Sequence, residues 1–272
     1  MVADIGALPK IVVTDLDGTF LSPDGSVSKI NSDAVAQARR AGITFLVATG
    51  RAPRGLDPIR QMPGPNPVSV TSNGAILYDT ADDSILQAVT IDPAVAQSVI
   101  MDLTEAIDGV TFAFEQGHRL ALEPAYRTWD PVDDQPGMIT GKALDLVRDR
   151  PFVKLLVQHK ELTADDLAAR AEPVVGDRLT VTHSAASNFG LLEVSAPGVS
   201  KASMLDRYCA ELGVRPEEVA AFGDMPNDLE MLQWAGHAYA MADCHDSLLG
   251  TATVIGSNAD SAVGRTITSW LS

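Results

Sequence analysis

Residues 10–19 read KIVVTDLDGT. The first half is a β-branched run without alternation, the pattern of a strand covered on both faces. It stops at two aspartates, Asp15 and Asp17, followed by Gly18 and Thr19, a sequence that turns sharply. In an open α/β sheet, ligands collect beyond the carboxyl ends of the strands. Two carboxylates at such an end fall where chemistry is done, and one of them can face a metal ion while the chain turns.

Outward from that strand, the pattern repeats. Ser28–Ala41 reads as a helix, Ile43–Ala48 as a second buried strand and Pro67–Thr71 as a third. Strand, helix, strand at this spacing predicts a parallel sheet. The far end has the same style, with a helix over Lys201–Gly213, a strand over Val219–Phe222 and a helix from Asn227 to Trp234. The middle differs. A strand at Ile85–Val89, a helix at Pro93–Ile107, a hairpin around Gly117 and further strands at Phe152–Gln158, Leu179–His183 and Phe189–Val194 suggest an α+β insert. Its joints are expected near Ala81–Ser84 and Ser195–Gly198, where polar, Pro and Gly residues cluster. The expected domains are therefore 1–83 with 196–272, and 84–195.

Composition narrows the function. The 272 residues carry 36 acidic and 20 basic side chains, a net charge of −16. Such a chain has no general attraction for nucleic acid or for an anionic membrane surface, so an anionic ligand would need cations placed locally. Two cysteines, Cys209 and Cys244, make neither a disulfide framework nor a cysteine-rich metal site. No apolar run reaches the ~20 residues of a membrane span, and Met1–Pro9 lacks the features of a signal peptide. A cytoplasmic protein is expected.

Three more segments carry chemistry. Thr49-Gly50-Arg51 follows the second strand and offers a hydroxyl, a backbone N–H and a guanidinium, all phosphate-binding groups. Ser200 is a fitting N-cap for a helix that opens with Lys201. Gly223-Asp224-Met225-Pro226-Asn227-Asp228 follows another strand. A carboxylate there, beside Asp15, would be repelled without a cation between them; a divalent metal removes that objection.

These four segments, in this order and spacing, resemble the haloacid dehalogenase-like phosphohydrolase superfamily. The large insert, with SNGA at 72–75 and GVSK at 198–201, is similar to its Cof-type branch with a C2 cap. The resemblance covers the whole chain. Phe20, where Leu is common, and Ala202, where Gly is frequent, are its small departures. It implies a Rossmann-like parallel-sheet core with an inserted α+β cap. It further implies Asp15 as nucleophile and Asp17 as general acid/base, with Mg2+ held by the Asp15 carboxylate, the Asp17 carbonyl and the Asp224 carboxylate. The phosphoryl group would contact the Leu16 backbone, Thr49, Gly50, Lys201 and Asn227. Asp228 would orient Lys201 or a metal-bound water, and Arg51 would support the phosphate pocket. The implied substrate is a small phosphorylated metabolite, sugar phosphates foremost. The alternatives are a phosphomutase using the same aspartyl-phosphate and a metabolite-binding protein without turnover. Candidates for selecting the substrate are Asn73 and, in the insert, Glu115, His118, Arg119, Arg127, Trp129, His183 and Asn188.

Overall fold

The computed structural model describes residues 7–126, 138–148, 151–183 and 189–271. The chain divides into two compact units, one from Met1–Gln87 and Ser200–Ser272 and the other from Ala88–Val199.

The first unit is built on a sheet whose inner strands are buried runs of Val, Ile, Leu and Ala. β1 (Ile11–Thr14), β2 (Thr44–Ala48), β3 (Val68–Thr71), β4 (Ile76–Asp79) and β5 (Ser84–Ala88) come from its N-terminal part. β12 (Val219–Gly223), β13 (His237–Ala240) and β14 (Thr253–Val254) come from its C-terminal part. The spatial order is β14-β13-β12-β1-β2-β3-β4-β5. Pairings from β14 to β3 are parallel, and β3 with β4 is antiparallel. The order changes direction between β1 and β12, and at such a switch point the loops leaving the two strands open a crevice. Because Thr14 pairs with Phe222, Asp15 leaves the sheet level with Gly223 and Asp224.

The sequence expectation for the boundaries needs a correction. The strand at 84–88 pairs into this first sheet, and the divisions fall at 87/88 and 199/200 rather than at 83/84 and 195/196. As an exposed edge strand it lacks the apolar alternation that would have marked which sheet it joins.

Helices α1 (Lys29–Arg40) and α5 (Ala262–Trp270) pack against each other. Asn31 ties them to the turn after β1: its Nδ2 donates to Phe20 O at 2.6 Å and its Oδ1 accepts from Gly264 N at 2.9 Å. Asn31 is fully buried, so losing either bond would strand a polar group in the core. A ring cluster of Phe222, Tyr239 and Trp270 fills the region under β12 and β13.

The second unit carries β6 (Thr111–Glu115), β7 (Leu120–Leu122), β8 (Ile139–Thr140), β9 (Lys154–His159), β10 (Thr180–Thr182) and β11 (Gly190–Ser195), in the order β10-β11-β9-β6-β7-β8. Its pairings are antiparallel except that of β7 with β8. Helices α2 (Pro93–Ala106) and α3 (Ala164–Val175) pack together beside that sheet. Among the described residues, no helix is long and apolar enough to cross a membrane.

Candidate active site

Each site segment begins where a buried strand runs out of apolar residues. β1 delivers Asp15, whose N–H donates to Phe222 O at 2.9 Å. Gly18 then takes a left-handed φ of +77°, and the chain turns back on itself across residues 16–20. Only glycine fits there: a Cβ would stand 2.1 Å from Asp224 Oδ2 as well as strain the backbone. The same turn aims the Thr19 hydroxyl at Asp224 Oδ1, to which it donates at 2.6 Å.

Lys201 opens α4 (Lys201–Glu211), whose N-cap is Ser200. The Ser200 hydroxyl accepts the Ser203 N–H at 3.2 Å, and the Ser203 hydroxyl accepts the Ser200 N–H at 3.0 Å, a reciprocal cap that fixes the first turn. Lys201 is fully buried; its Nζ donates to Asp15 Oδ1 at 2.6 Å and to Asp228 Oδ1 at 2.7 Å. Asp228, also fully buried, uses its other oxygen to accept the N–H groups of Asp224 and Met225, at 3.0 and 3.1 Å. Asp228 is thus a bracket that shapes the loop carrying Asp224 and holds the ammonium against Asp15.

Asp15, Asp224 and Asp228 each offer a carboxylate oxygen within 4.8 Å of the others, and all three are buried. Three carboxylates face one ammonium. Burial pushes the Asp15 carboxyl well above its ordinary range, opposed by Lys201 and reinforced by Asp228, Asp224 and Asp17. Burial, with Asp228 next, pushes Asp224 up to about 7. Burial alone would lower the Lys201 ammonium, but Asp15 and Asp228 overcome it and hold it above its usual value. The donor set therefore fits a hard divalent cation: it is all oxygen, short of positive charge, and leaves one oxygen of Asp15 and one of Asp224 without a protein donor among the described residues.

Thr49 is buried at the end of β2, and its Oγ1 accepts Arg51 N–H at 3.1 Å, which leaves the hydroxyl proton available to donate elsewhere. Asn73 and Asn227 meet in the core, with Asn227 Nδ2 donating to Asn73 Oδ1 at 3.0 Å. The structure thereby brings Asp15, Lys201, Asp224 and Asp228 together, and joins Asn73 both to Asn227 and, through its N–H on Thr49 O at 3.0 Å, to Thr49.

Two arrangements were not legible in the sequence. Arg51, read as a support for phosphate, instead grips Asp17, its Nε on Oδ2 at 2.7 Å and its NH2 group on Oδ1 at 2.6 Å, and also donates to Gly55 O at 2.9 Å. This fork engages both oxygens of the carboxylate read as the acid/base. The other is Thr19, whose hydroxyl holds Asp224; in the sequence only its place immediately after the turn glycine signals it.

In the second unit, Glu115 is buried within 3.7 Å of Lys154 Nζ, which also donates to Glu193 at 2.6 Å. It serves an internal ion cluster, contrary to its reading as a residue offered to substrate. His183 pairs with Asp165 at 3.1 Å. His118 and Arg119 are exposed in the β6–β7 turn, which Gln116 N–H closes on Arg119 O at 2.9 Å. Arg127, Trp129 and Asn188 lie outside the described residues.

Relatives agree in kind. The chain is 26% identical to the pyridoxal phosphate phosphatase YbhA of Escherichia coli (strain K12), over 96% of this chain and 98% of that protein. It is 27% identical to the phosphatase YwpJ of Bacillus subtilis (strain 168), over 90% and 94%. Its fold matches SMU.1108c from Streptococcus mutans UA159 with a TM-score of 0.82 and 24% identity, covering 97% and 99% of the two chains. It also matches the subclass IIB sugar phosphatase BT4131 with a TM-score of 0.79 and 17% identity, covering 96% and 98%. The haloacid dehalogenase-like hydrolase model matches residues 12–267, a span that contains every strand-end carboxylate described above, and the chain belongs to that family.

Proposed function

We propose that the chain is a Mg2+-dependent phosphatase of small phosphorylated metabolites, sugar phosphates foremost, working through a phosphoryl group carried on Asp15. The observation that carries this reading is the Asp15–Lys201–Asp228 chain of short bonds beside Asp224. It presents one carboxylate oxygen at a sheet end with the other oxygen pinned by an ammonium. The relatives support the substrate class: the pyridoxal phosphate phosphatase YbhA, the phosphatase YwpJ and the HMP-PP phosphatase of Cronobacter sakazakii (strain ATCC BAA-894) are phosphatases by name, two of them for small phosphorylated compounds.

Mg2+, held by the carboxylates of Asp15 and Asp224 and the Asp17 carbonyl, would supply positive charge against the phosphate oxygens. The residues do the rest. Asp15 attacks phosphorus with one carboxylate oxygen, forming an acyl phosphate as the P–O bond to the alcohol breaks. Lys201 keeps the attacking carboxylate oriented and offsets its repulsion from a dianionic phosphate. The Leu16 backbone, the Thr49 hydroxyl, Gly50 and the second Nδ2 proton of Asn227 supply further donors to phosphoryl oxygens. Asp17 gives a proton to the departing alkoxide and then takes one from the water that attacks the acyl phosphate, which returns Asp15 and releases inorganic phosphate. For its acid step Asp17 must give up one arm of the Arg51 fork, so the substrate's leaving oxygen competes with that guanidinium.

The test is release of inorganic phosphate from a panel of phosphorylated metabolites and p-nitrophenyl phosphate, with Mg2+ and after chelation. Metal-dependent release by the wild type, abolished in Asp15→Asn, is expected. Undiminished release after exhaustive chelation, or by Asp15→Asn, would overturn the mechanism. In Asp17→Asn, general acid–base catalysis worth ~10²–10⁴-fold should be lost on alkyl phosphates. A nitrophenolate leaves with little help, so there the same variant should give a burst of nitrophenol followed by a slow steady state.

A further inference from the structure

The segment Ser72-Asn73-Gly74, between β3 and β4, has a backbone that ordinary residues avoid: φ is +53°, +57° and +98° at three consecutive positions. Two of these are not glycine, and left-handed residues in succession are costly for L side chains. Such a conformation persists only where its surroundings over-determine it. Here they do. Ser72 N–H donates to Arg51 O at 2.9 Å and Asn73 N–H to Thr49 O at 3.0 Å, so the turn is fastened to the loop that leaves β2. At Gly74 a Cβ would lie 2.0 Å from Ser200 O, so the backbone of the turn is pressed against the N-cap of the Lys201 helix. The Asn73 side chain reaches the third loop through Asn227. Ser72 and Asn73 are both buried. One strained turn thus touches the segments that carry Thr49, Lys201 and Asn227.

Asn227 shows what this is for. It is 7% exposed, and its Oδ1 has no hydrogen-bond partner among the described residues. Its Nδ2 carries two protons; Asn73 accepts one and so fixes the direction of the other and of the unpartnered oxygen. A buried amide left without half its bonds is poised for something that arrives in the pocket.

We propose that Asn73 is a positioning residue for the phosphate pocket: it acts through Asn227 by fixing that amide, while its left-handed turn sets the spacing of Thr49, Lys201 and Asn227. This rests on the phosphatase reading above. Asn73→Gly is the informative variant, because glycine keeps the positive φ and deletes only the amide. Its melting temperature should fall by only a few degrees, because relief of the left-handed strain offsets part of the lost buried bond. With p-nitrophenyl phosphate its kcat/KM should fall by about ten-fold, and the Ki of inorganic phosphate should rise by a similar factor, the size of one lost hydrogen bond. Asn73→Gly added to Asn227→Ala should cost nothing beyond Asn227→Ala alone. In the wild type, the Asn227 side-chain amide protons should give two slowly exchanging NMR signals that collapse or speed up in Asn73→Gly. Losses that multiply in the double variant, wild-type kinetics in Asn73→Gly, or unchanged Asn227 amide signals would each overturn the proposal. If the wild type hydrolysed no phosphate ester, the phosphatase reading would fall, and the amide signals would still decide whether Asn73 positions Asn227.

Discussion

Replacing Lys201 with methionine keeps most of the length of the side chain and removes its charge. Two short bonds disappear, at 2.6 Å to Asp15 and 2.7 Å to Asp228, and both carboxylates lose the ammonium in a place where Lys201 and Asp228 are fully buried. Breaking a buried ion pair by removing one partner typically costs about 3–5 kcal/mol, because the remaining charge must be buried unpaired or neutralised. The first unit spans 87 residues (Met1–Gln87) and 73 residues (Ser200–Ser272). For a domain of that size each kcal/mol moves the melting temperature by roughly 2–4 °C, so Lys201→Met should melt roughly 6–20 °C below the wild type in chelator. A cation between Asp15 and Asp224 would offset part of the unpaired charge, so the gap should narrow in excess Mg2+. Adding Asp228→Asn should recover part of the loss, since the amide oxygen still accepts the Asp224 and Met225 N–H groups while one buried charge is gone. Differential scanning calorimetry of the single and double variants, each with Mg2+ and with chelator, measures all of these. A Lys201→Met protein that melts within about 2 °C of wild type in chelator would show that the ammonium does not carry this charge balance.

Gly18→Ala should abolish metal-dependent turnover, because its Cβ would stand 2.1 Å from Asp224 Oδ2 at a backbone φ of +77°; Mg2+ titration followed by calorimetry should show weakened binding, and wild-type affinity would contradict the geometry. Without metal, the Asp224 carboxyl is raised from 3.8 to about 7, so the folded state binds its proton more tightly than the unfolded chain does. That favours folding fully below about pH 4 and is lost as pH rises toward 7; this contribution to stability in chelator should be smaller at pH 8 than at pH 5, by at most about 3 kcal/mol, with Mg2+ restoring the loss. A chelated protein whose stability is no more pH-dependent than that of its Asp224→Asn variant would refute this. Arg51→Ala removes an ion pair whose side chains are 28% and 55% exposed, so stability should change by less than about 1 kcal/mol. Turnover of alkyl phosphates should fall at least several-fold more than turnover of p-nitrophenyl phosphate, and equal losses on both would mean that Arg51 does not act through Asp17.

What the sequence by itself determined is what neighbouring residues dictate. A β-branched run that ends in Asp, Gly and Thr is a buried strand feeding a turn, and alternation with helices makes its sheet parallel, so Asp15, Thr49 and Asp224 could be placed at strand ends before any coordinate was known. Ser200 ahead of Lys201 likewise announced a capped helix, and the structure has it. The tertiary structure alone decided which side chains meet across the chain. Lys201 and Asp15 are 186 positions apart, Asn227 and Asn73 are 154 apart, and Arg51 and Asp17 are 34 apart. Periodicity reports which face of an element is buried, but not which partner a polar group at its end will find. Arg51 shows the difference: a guanidinium after a strand suits a phosphate and a carboxylate equally, and only the turn at Gly18 brings Asp17 within its reach. Glu115 shows it again, since a lone carboxylate at the end of a strand reads as available until the sheet register sets Lys154 opposite it. The strand at 84–88 followed the same rule, because the membership of an edge strand is fixed by long-range pairing rather than by its own residues.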